Sequence, residues 1–241
     1  MNFKIKTTIL LIVFILLKSF SGISQELPYY VSPKDLLLWL PLEGTTLDKS
    51  GEGNDASGNN LVHSADRFGR EDRAVYLDGI NSYLMIEVNQ PQLMLSNNFT
   101  IAFWVSANYS NNLQYLISKG DKMSNEFALT LSPNNNLCLE KNPETFKKCI
   151  PFIKNQWTNI TFSVQNNTAK IYLDGKFSGT FVLESPILPS NLPFTFGSLF
   201  QAGTNTPIQN SRFNGKMDDI AIWNRVLSAD EILLFYKGEE N

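Results

Sequence analysis

The sequence predicts an all-β fold, a two-sheet antiparallel β-sandwich with one short C-terminal helix. Three observations carry that expectation. At least ten short segments either alternate apolar and polar residues or run apolar, at regular spacing. Clusters of Asp, Asn, Gly and Pro punctuate them. Only one segment, at the very end, combines helical periodicity with a cap.

Taken in order, residues 1–25 read as a signal peptide. Lys4 and Lys6 precede an apolar run over 9–17, and Ser19, Ser21, Gly22 and Ser24 supply small residues before a cut after Ser24 or Gln25. The alternative is an N-terminal membrane anchor, but the run falls well short of the roughly 20 residues a spanning helix needs. No cysteine lies near the cut to carry a lipid. The chain is therefore expected to be secreted, periplasmic or displayed at the cell surface, with no membrane insertion after cleavage. Residues 26–35, with Pro28 and Pro33, form a lead-in to a single domain over 36–238.

The first strand, 36–40, is Leu-Leu-Leu-Trp-Leu, apolar on both sides as a buried strand should be. Residues 47–70 crowd Asp, Ser, Gly and Asn together and read as a long loop. Residues 74–77 form a strand, Asp78-Gly79 a turn, and 83–88 its expected hairpin partner. In 99–105, Phe99, Ile101, Phe103 and Val105 face one way and Thr100, Ala102 and Trp104 the other. Strands follow at 113–118, 127–131, 137–139 and 157–164. Residues 170–173 then run into Asp174-Gly175, a hairpin signal. The Pro-rich stretch 185–193 is a crossover between sheets. A strand at 194–197, a turn at Asn214-Gly215-Lys216 and a strand over 217–223 lead to Ser228-Ala229-Asp230-Glu231. This is a capping box in front of a short amphipathic helix that ends at Gly238.

Composition excludes several functions. Loss of Lys4, Lys6 and Lys18 with the leader leaves 17 of the 20 Lys+Arg against 23 Asp+Glu, a net charge of −6. With no basic run, nucleic acid and anionic membrane are poor partners. Cys138 and Cys149, in an exported chain with no histidine near them, are expected to form a disulfide.

Catalytic constellations are absent from the sequence. His63, the sole histidine, sits in the long loop. Asp121 with Glu126, and Glu140 with Glu144, read as solvated surface pairs rather than an acid and a nucleophile. Sugar-docking groups are present: an aromatic ring covers C–H faces while amides and acids read hydroxyls. The candidates are Tyr109, which has Asn108, Asn111 and Asn112 around it, together with Tyr115, Phe200 and Trp104. Packing under a loop is the competing reading for Trp104.

Ten motifs in a fixed order also carry a resemblance. Among them are Leu38-Trp39-Leu40-Pro41-Leu42, Asp48-Lys49-Ser50-Gly51 with Asn54, and Asp66-Arg67-Phe68-Gly69. Others are Ala74-Val75-Tyr76-Leu77-Asp78-Gly79, Ile171-Tyr172-Leu173-Asp174-Gly175-Lys176 and Phe213-Asn214-Gly215-Lys216-Met217-Asp218-Asp219. Over nearly all of 36–238 the chain resembles the laminin-G-like, concanavalin A-type jelly-roll family, which is related to the pentraxins. The resemblance implies a jelly-roll sandwich. It also implies a structural Ca²⁺ held by Asp48, Asn54 and Asp218, although Asx-turns at Asp48 and Asn54 would use the same side chains. The expected function is a non-catalytic binding module for a glycan. The alternative is a protein-interaction module that meets a cell-surface protein, with a glycan-active hydrolase as a distant third.

Overall fold

A computed structural model describes residues 26–121, 126–141, 146–201, 206–208 and 212–238, and these described residues contain seventeen strands, one α-helix and a 3-10 turn over Pro91–Leu93. The expected signal peptide lies outside the described residues. Among those residues no helix is long and apolar enough to cross a membrane.

The strands are β1 (Leu36–Leu40), β2 (Ser57–Asn59), β3 (Val62–Ser64), β4 (Ala74–Asp78), β5 (Tyr83–Ile86) and β6 (Asn98–Ala107). Next come β7 (Gln114–Lys119), β8 (Phe127–Leu131), β9 (Asn136–Lys141), β10 (Phe146–Pro151), β11 (Trp157–Gln165) and β12 (Thr168–Leu173). The last are β13 (Lys176–Val182), β14 (Phe194–Phe196), β15 (Phe200–Gln201), β16 (Thr206–Pro207) and β17 (Asn214–Trp223), before helix α1 (Ala229–Lys237).

One sheet runs β13-β12-β11-β6-β17-β4-β3, with β1 also paired to β17. The other runs β10-β9-β8-β7-β14-β5-β2, and all its pairings are antiparallel. The predicted sandwich is thus the fold, and the 185–193 crossover carries the chain from β13 in one sheet to β14 in the other.

Two local expectations are corrected. β4 and β5 are not a hairpin: β4 pairs β17 and β3, whereas β5 pairs β14 and β2 in the opposite sheet. Asp78-Gly79 therefore turns the chain across the sandwich edge. The long loop contains two short strands, β2 and β3, which become regular only because β5 and β4 supply hydrogen-bond partners.

The inner face of β6 supplies Phe99, Ile101, Phe103 and Val105 to the core between the sheets. Phe99, Phe127 and Phe162 pack with ring centroids 5.2–5.7 Å apart, and Phe103 meets Phe196 edge-on at 6.2 Å. On the outer face of the same sheet, Ala102 of β6 and Ala221 of β17 are small enough for α1 to press Ile232 and Phe235 close, and Phe235 lies edge-on to Trp223 at 5.5 Å. The capping box is complete: Ser228 Oγ accepts from Glu231 N, and Glu231 accepts from Ser228 N. Arg225 adds two hydrogen bonds to the same carboxylate, at 2.6 and 2.9 Å. These Arg225 bonds hold the Glu231 carboxyl at about 2, against burial and with help from the Ser228 backbone.

In β17 the register against β6 shifts between Asp218 and Ala221, and Asp219 takes a positive φ of 47°. Met217 and Ile220 both reach the inter-sheet core although they are three positions apart, because this bulge resets the alternation. The first half of β17 pairs β4 and the second half pairs β1, so the bulge falls where the outer partner changes.

Cys138 and Cys149 face each other across β9 and β10 and are disulfide-bonded, as expected.

Candidate functional site

Three loops far apart in sequence meet at one end of the sandwich and enclose an open cleft of about 680 Å³. They are the turn after β4, the β6–β7 connection and the segment leading into β17. Each is built for its position.

In the first loop, Asp78 Oδ1 accepts hydrogen bonds from Ile80 N (2.8 Å), Asn81 N (2.8 Å) and Ser82 N (2.9 Å). Gly79 adopts φ 73°, and a Cβ there would come within 2.9 Å of Asn214 Cβ, so only glycine lets the loops approach. Partial burial opposes ionisation of Asp78, but the N–H groups of Ser82, Ile80 and Asn81 together outweigh it. They hold the carboxyl at about 2, down from 3.8. A carboxylate depressed in the folded state stabilises the fold above its unfolded pKa, and that stability is lost as pH falls through the folded value. The Asp78 contribution should therefore be complete above about pH 4 and vanish towards about pH 2. After allowance for solvent screening it is worth about 1–2 kcal/mol. Urea unfolding of wild type and Asp78→Asn across that window should give a stability difference that shrinks with acid. A constant difference would assign the turn's stability elsewhere.

Asn214 ties the loops together. Its Oδ1 accepts from Tyr76 Oη (3.0 Å) and Asn108 Nδ2 (2.8 Å), and its backbone N–H donates to Gln114 Oε1 (2.8 Å). The expected turn at Asn214-Gly215-Lys216 is instead the opening of β17. Glycine is needed at 215 because a Cβ would lie 2.3 Å from the Ser106 carbonyl oxygen of the adjoining strand. Arg212 is buried, donates from Nε to Ile208 O (3.0 Å) and from Nη1 to Asn81 O (2.7 Å), and lies over the Tyr83 ring. It braces the first loop against the third.

Above this frame stand Tyr109, 66% exposed, and Ile80, 65% exposed. Lys154, itself buried and donating to Ser132 O, lies 5.9 Å from the Tyr109 ring centroid. The cleft thus offers an exposed ring, an exposed aliphatic side chain, side-chain amides and an ionised carboxylate. Sequence reasoning singled out Tyr109 and its Asn neighbours. It did not assign Ile80, Asn81, Arg212 or Asn214 to a site; the Asp78-Gly79 and Asn214-Gly215-Lys216 turn signals were the local marks of this region.

The other aromatic candidates pack internally. Trp104 is 6% exposed, stacked on Tyr236 at 5.6 Å and lying under the Arg67 guanidinium at 4.5 Å. Tyr115 packs with Ala128 and Leu199, and burial followed by the Glu140 charge pushes its hydroxyl up to about 12. Phe200 is buried and bridges the backbone of Asp121. In all three, packing covers surface that a ligand would need.

The residues expected to hold calcium serve as hydrogen-bond hubs. Asp48 Oδ1 accepts from Trp39 N and Ser50 N, and Oδ2 from Ser50 Oγ and Asn54 N. Asn54 Nδ2 donates to Leu37 O at 2.7 Å. Asp218 meets Arg67 Nη1 at 2.8 Å. Among the described residues no group of three or more His, Cys, Asp or Glu side chains is placed to hold a metal ion. A hard cation needs six to eight converging oxygens. As placed, these atoms of Asp48, Asn54 and Asp218 are engaged by the protein itself.

The expected surface acids are also corrected: Asp121, Glu126 and Glu140 are all buried. Glu140 accepts from Thr130 Oγ1 (2.9 Å) and Lys147 Nζ (2.6 Å). Glu126 pairs with Lys119 and accepts from Ser190 Oγ. Glu144 lies outside the described residues.

A family profile described as the concanavalin A-like lectin/glucanases superfamily matches residues 78–233. The chain is 26% identical over 192 residues to the non-toxic nonhemagglutinin of Paraclostridium bifermentans; the match takes in 77% of this chain but only 15% of that protein. Domain 4 of AbnA, a GH43 extracellular arabinanase from Geobacillus stearothermophilus solved with arabinotriose, superposes with a TM-score of 0.64. It is 17% identical, and the match covers 84% of this chain and 98% of that one. The binding domain of botulinum neurotoxin DC, solved in complex with SialylT, gives a TM-score of 0.65 at 18% identity, covering 86% of this chain and 51% of that one.

Proposed function

The chain belongs to the concanavalin A-like lectin/glucanases superfamily, and from that membership and its cleft we propose that it is a secreted glycan-binding module that uses the surface around Tyr109. One observation carries the reading: an exposed tyrosine ring stands beside an ionised carboxylate and several amides on a rigid, cross-tied frame. Sugars need this pairing, a flat apolar surface for C–H faces and fixed polar groups for hydroxyls. The arabinanase domain was solved with arabinotriose and the neurotoxin domain with SialylT, and both ligands support the choice of a glycan.

Binding rather than hydrolysis follows from the acid inventory. Among the described residues lining the cleft, Asp78 alone carries a carboxyl, whereas glycoside hydrolysis by the usual route uses a pair.

The test is Tyr109→Ala, examined first on a glycan array and then by titration calorimetry with the best ligand. Affinity should fall at least about tenfold, or about 1.4 kcal/mol. Thermal stability should stay within error, because the ring is mostly in solvent. Unchanged affinity would remove this cleft as the binding site.

A further inference from the structure

We propose that the cleft selects neutral glycans over acidic ones, an inference that rests on the glycan-binding reading above. The observation behind it is how charge is distributed around the cleft. Two lining residues carry full charges, Asp78 and Arg212. They are not equivalent in what they offer a ligand.

Asp78 lines the cleft as an ionised carboxylate whose Oδ1 is occupied by three backbone N–H groups. Those bonds keep it charged at every physiological pH, so it acts as a hydrogen-bond acceptor of fixed charge. Sugar hydroxyls can donate to it, and an O–H···O⁻ bond is roughly twice as strong as a neutral one. A sugar carboxylate has no proton to donate near neutral pH and meets a like charge instead.

Arg212 feels the Asp78 charge but is committed to the frame. The residue is 8% exposed, spends Nε and Nη1 on the Ile208 and Asn81 carbonyls, and its guanidinium lies over the Tyr83 ring at 5.3 Å. To receive a ligand carboxylate it would have to leave carbonyls that brace the cleft wall. Lys154, beside the Tyr109 ring, is 5% exposed and donates to Ser132 O. Both cations are thus buried in the frame, whereas Asp78 is the more exposed of the two charged residues that line the cleft. Discrimination built on one unfavourable charge contact is enough to separate related ligands at least about tenfold.

The experiment is calorimetric titration of the full chain with matched probes: lactose, arabinotriose and maltotriose against sialyllactose and trigalacturonate. At low salt at least one neutral probe should bind at least about tenfold more tightly than either acidic one. That gap should narrow as ionic strength rises, since exposed like-charge repulsion is screened. In Asp78→Asn the acidic probes should gain on the neutral ones. If that variant does not fold, the salt dependence of wild type decides by itself. Acidic probes binding as tightly as neutral ones, or a gap indifferent to salt, would overturn the selectivity and leave glycan binding standing. Failure of both classes to bind would overturn the glycan reading itself.

Discussion

Replacing Arg67 with methionine is expected to destabilise the fold by about 3–5 kcal/mol, the usual cost of removing one partner from a buried ion pair. Arg67 bonds Asp218 through Nη1 at 2.8 Å and Asp219 through Nη2 at 3.0 Å, and all three side chains are at most 7% exposed. Its guanidinium also covers the Trp104 ring at 4.5 Å and the Phe68 ring at 4.7 Å. The cluster sits at the β17 bulge, where the strand exchanges β4 for β1 as its outer partner.

One guanidinium cannot neutralise two buried carboxylates. Burial, and next the Asp219 charge, push the Asp218 carboxyl well above its ordinary range, and Arg67 only partly reverses this. Without Arg67, both adjacent acids at the bulge would lose the guanidinium they share. Urea unfolding measures the loss. Adding Asp218→Asn to Arg67→Met should recover part of it, because one of the stranded charges is then gone. A loss below about 1 kcal/mol, typical of solvated pairs, would show that the bulge is held by its backbone alone.

The second large effect is expected at Lys119, whose side chain is fully buried. Its Nζ donates to Leu192 O (2.5 Å), Ser190 O (3.0 Å) and Glu126 Oε1 (3.4 Å), pinning the crossover between the sheets to the end of β7. Burial pushes the Lys119 pKa down, and Glu126 partly restores it. Burial likewise pushes Glu126 up, with Lys119 and Ser190 opposing. Lys119→Met would orphan two carbonyls and leave Glu126 buried without its cation, again at about 3–5 kcal/mol.

The penalty should depend on pH. A carboxyl whose folded pKa lies above its unfolded value favours folding below that unfolded value, and the benefit disappears as pH rises through the folded one. Loss of Lys119 raises Glu126 further, so the variant should be weakest on the alkaline side. Unfolding at about pH 5 and about pH 8 tests this against the ordinary carboxylate range near 4. Equal penalties at both values would mean that the orphaned carbonyls, not Glu126, dominate. The Lys119→Met, Glu126→Gln double variant should flatten the profile.

These two clusters mark the boundary of what could be read from sequence. Arg67, Asp218 and Asp219 were visible only as members of a family pattern, and Lys119 only as the residue that follows the strand at 113–118. Their burial and pairing were not legible, because a charged residue's neighbours across 151 positions leave no trace in local periodicity. The same holds for the cleft. Tyr109 was found because an aromatic among asparagines is a local signal, whereas Arg212 and Asn81 become partners only once the sandwich brings position 212 to position 81.

The sequence by itself determined the sandwich, the capped helix, the crossover at 185–193 and the Cys138–Cys149 bond. Each rests on contacts between near neighbours or on a face pattern of period two, both of which are written in order along the chain. Tertiary structure alone decided that β4 and β5 part into different sheets, that Arg67 meets both acids at the β17 bulge, and that Trp104, Tyr115 and Phe200 are buried. It also decided that three distant loops enclose one cleft. The physical reason is the same throughout: burial and charge pairing depend on which surfaces meet after the sheets close, and that depends on all the strands at once.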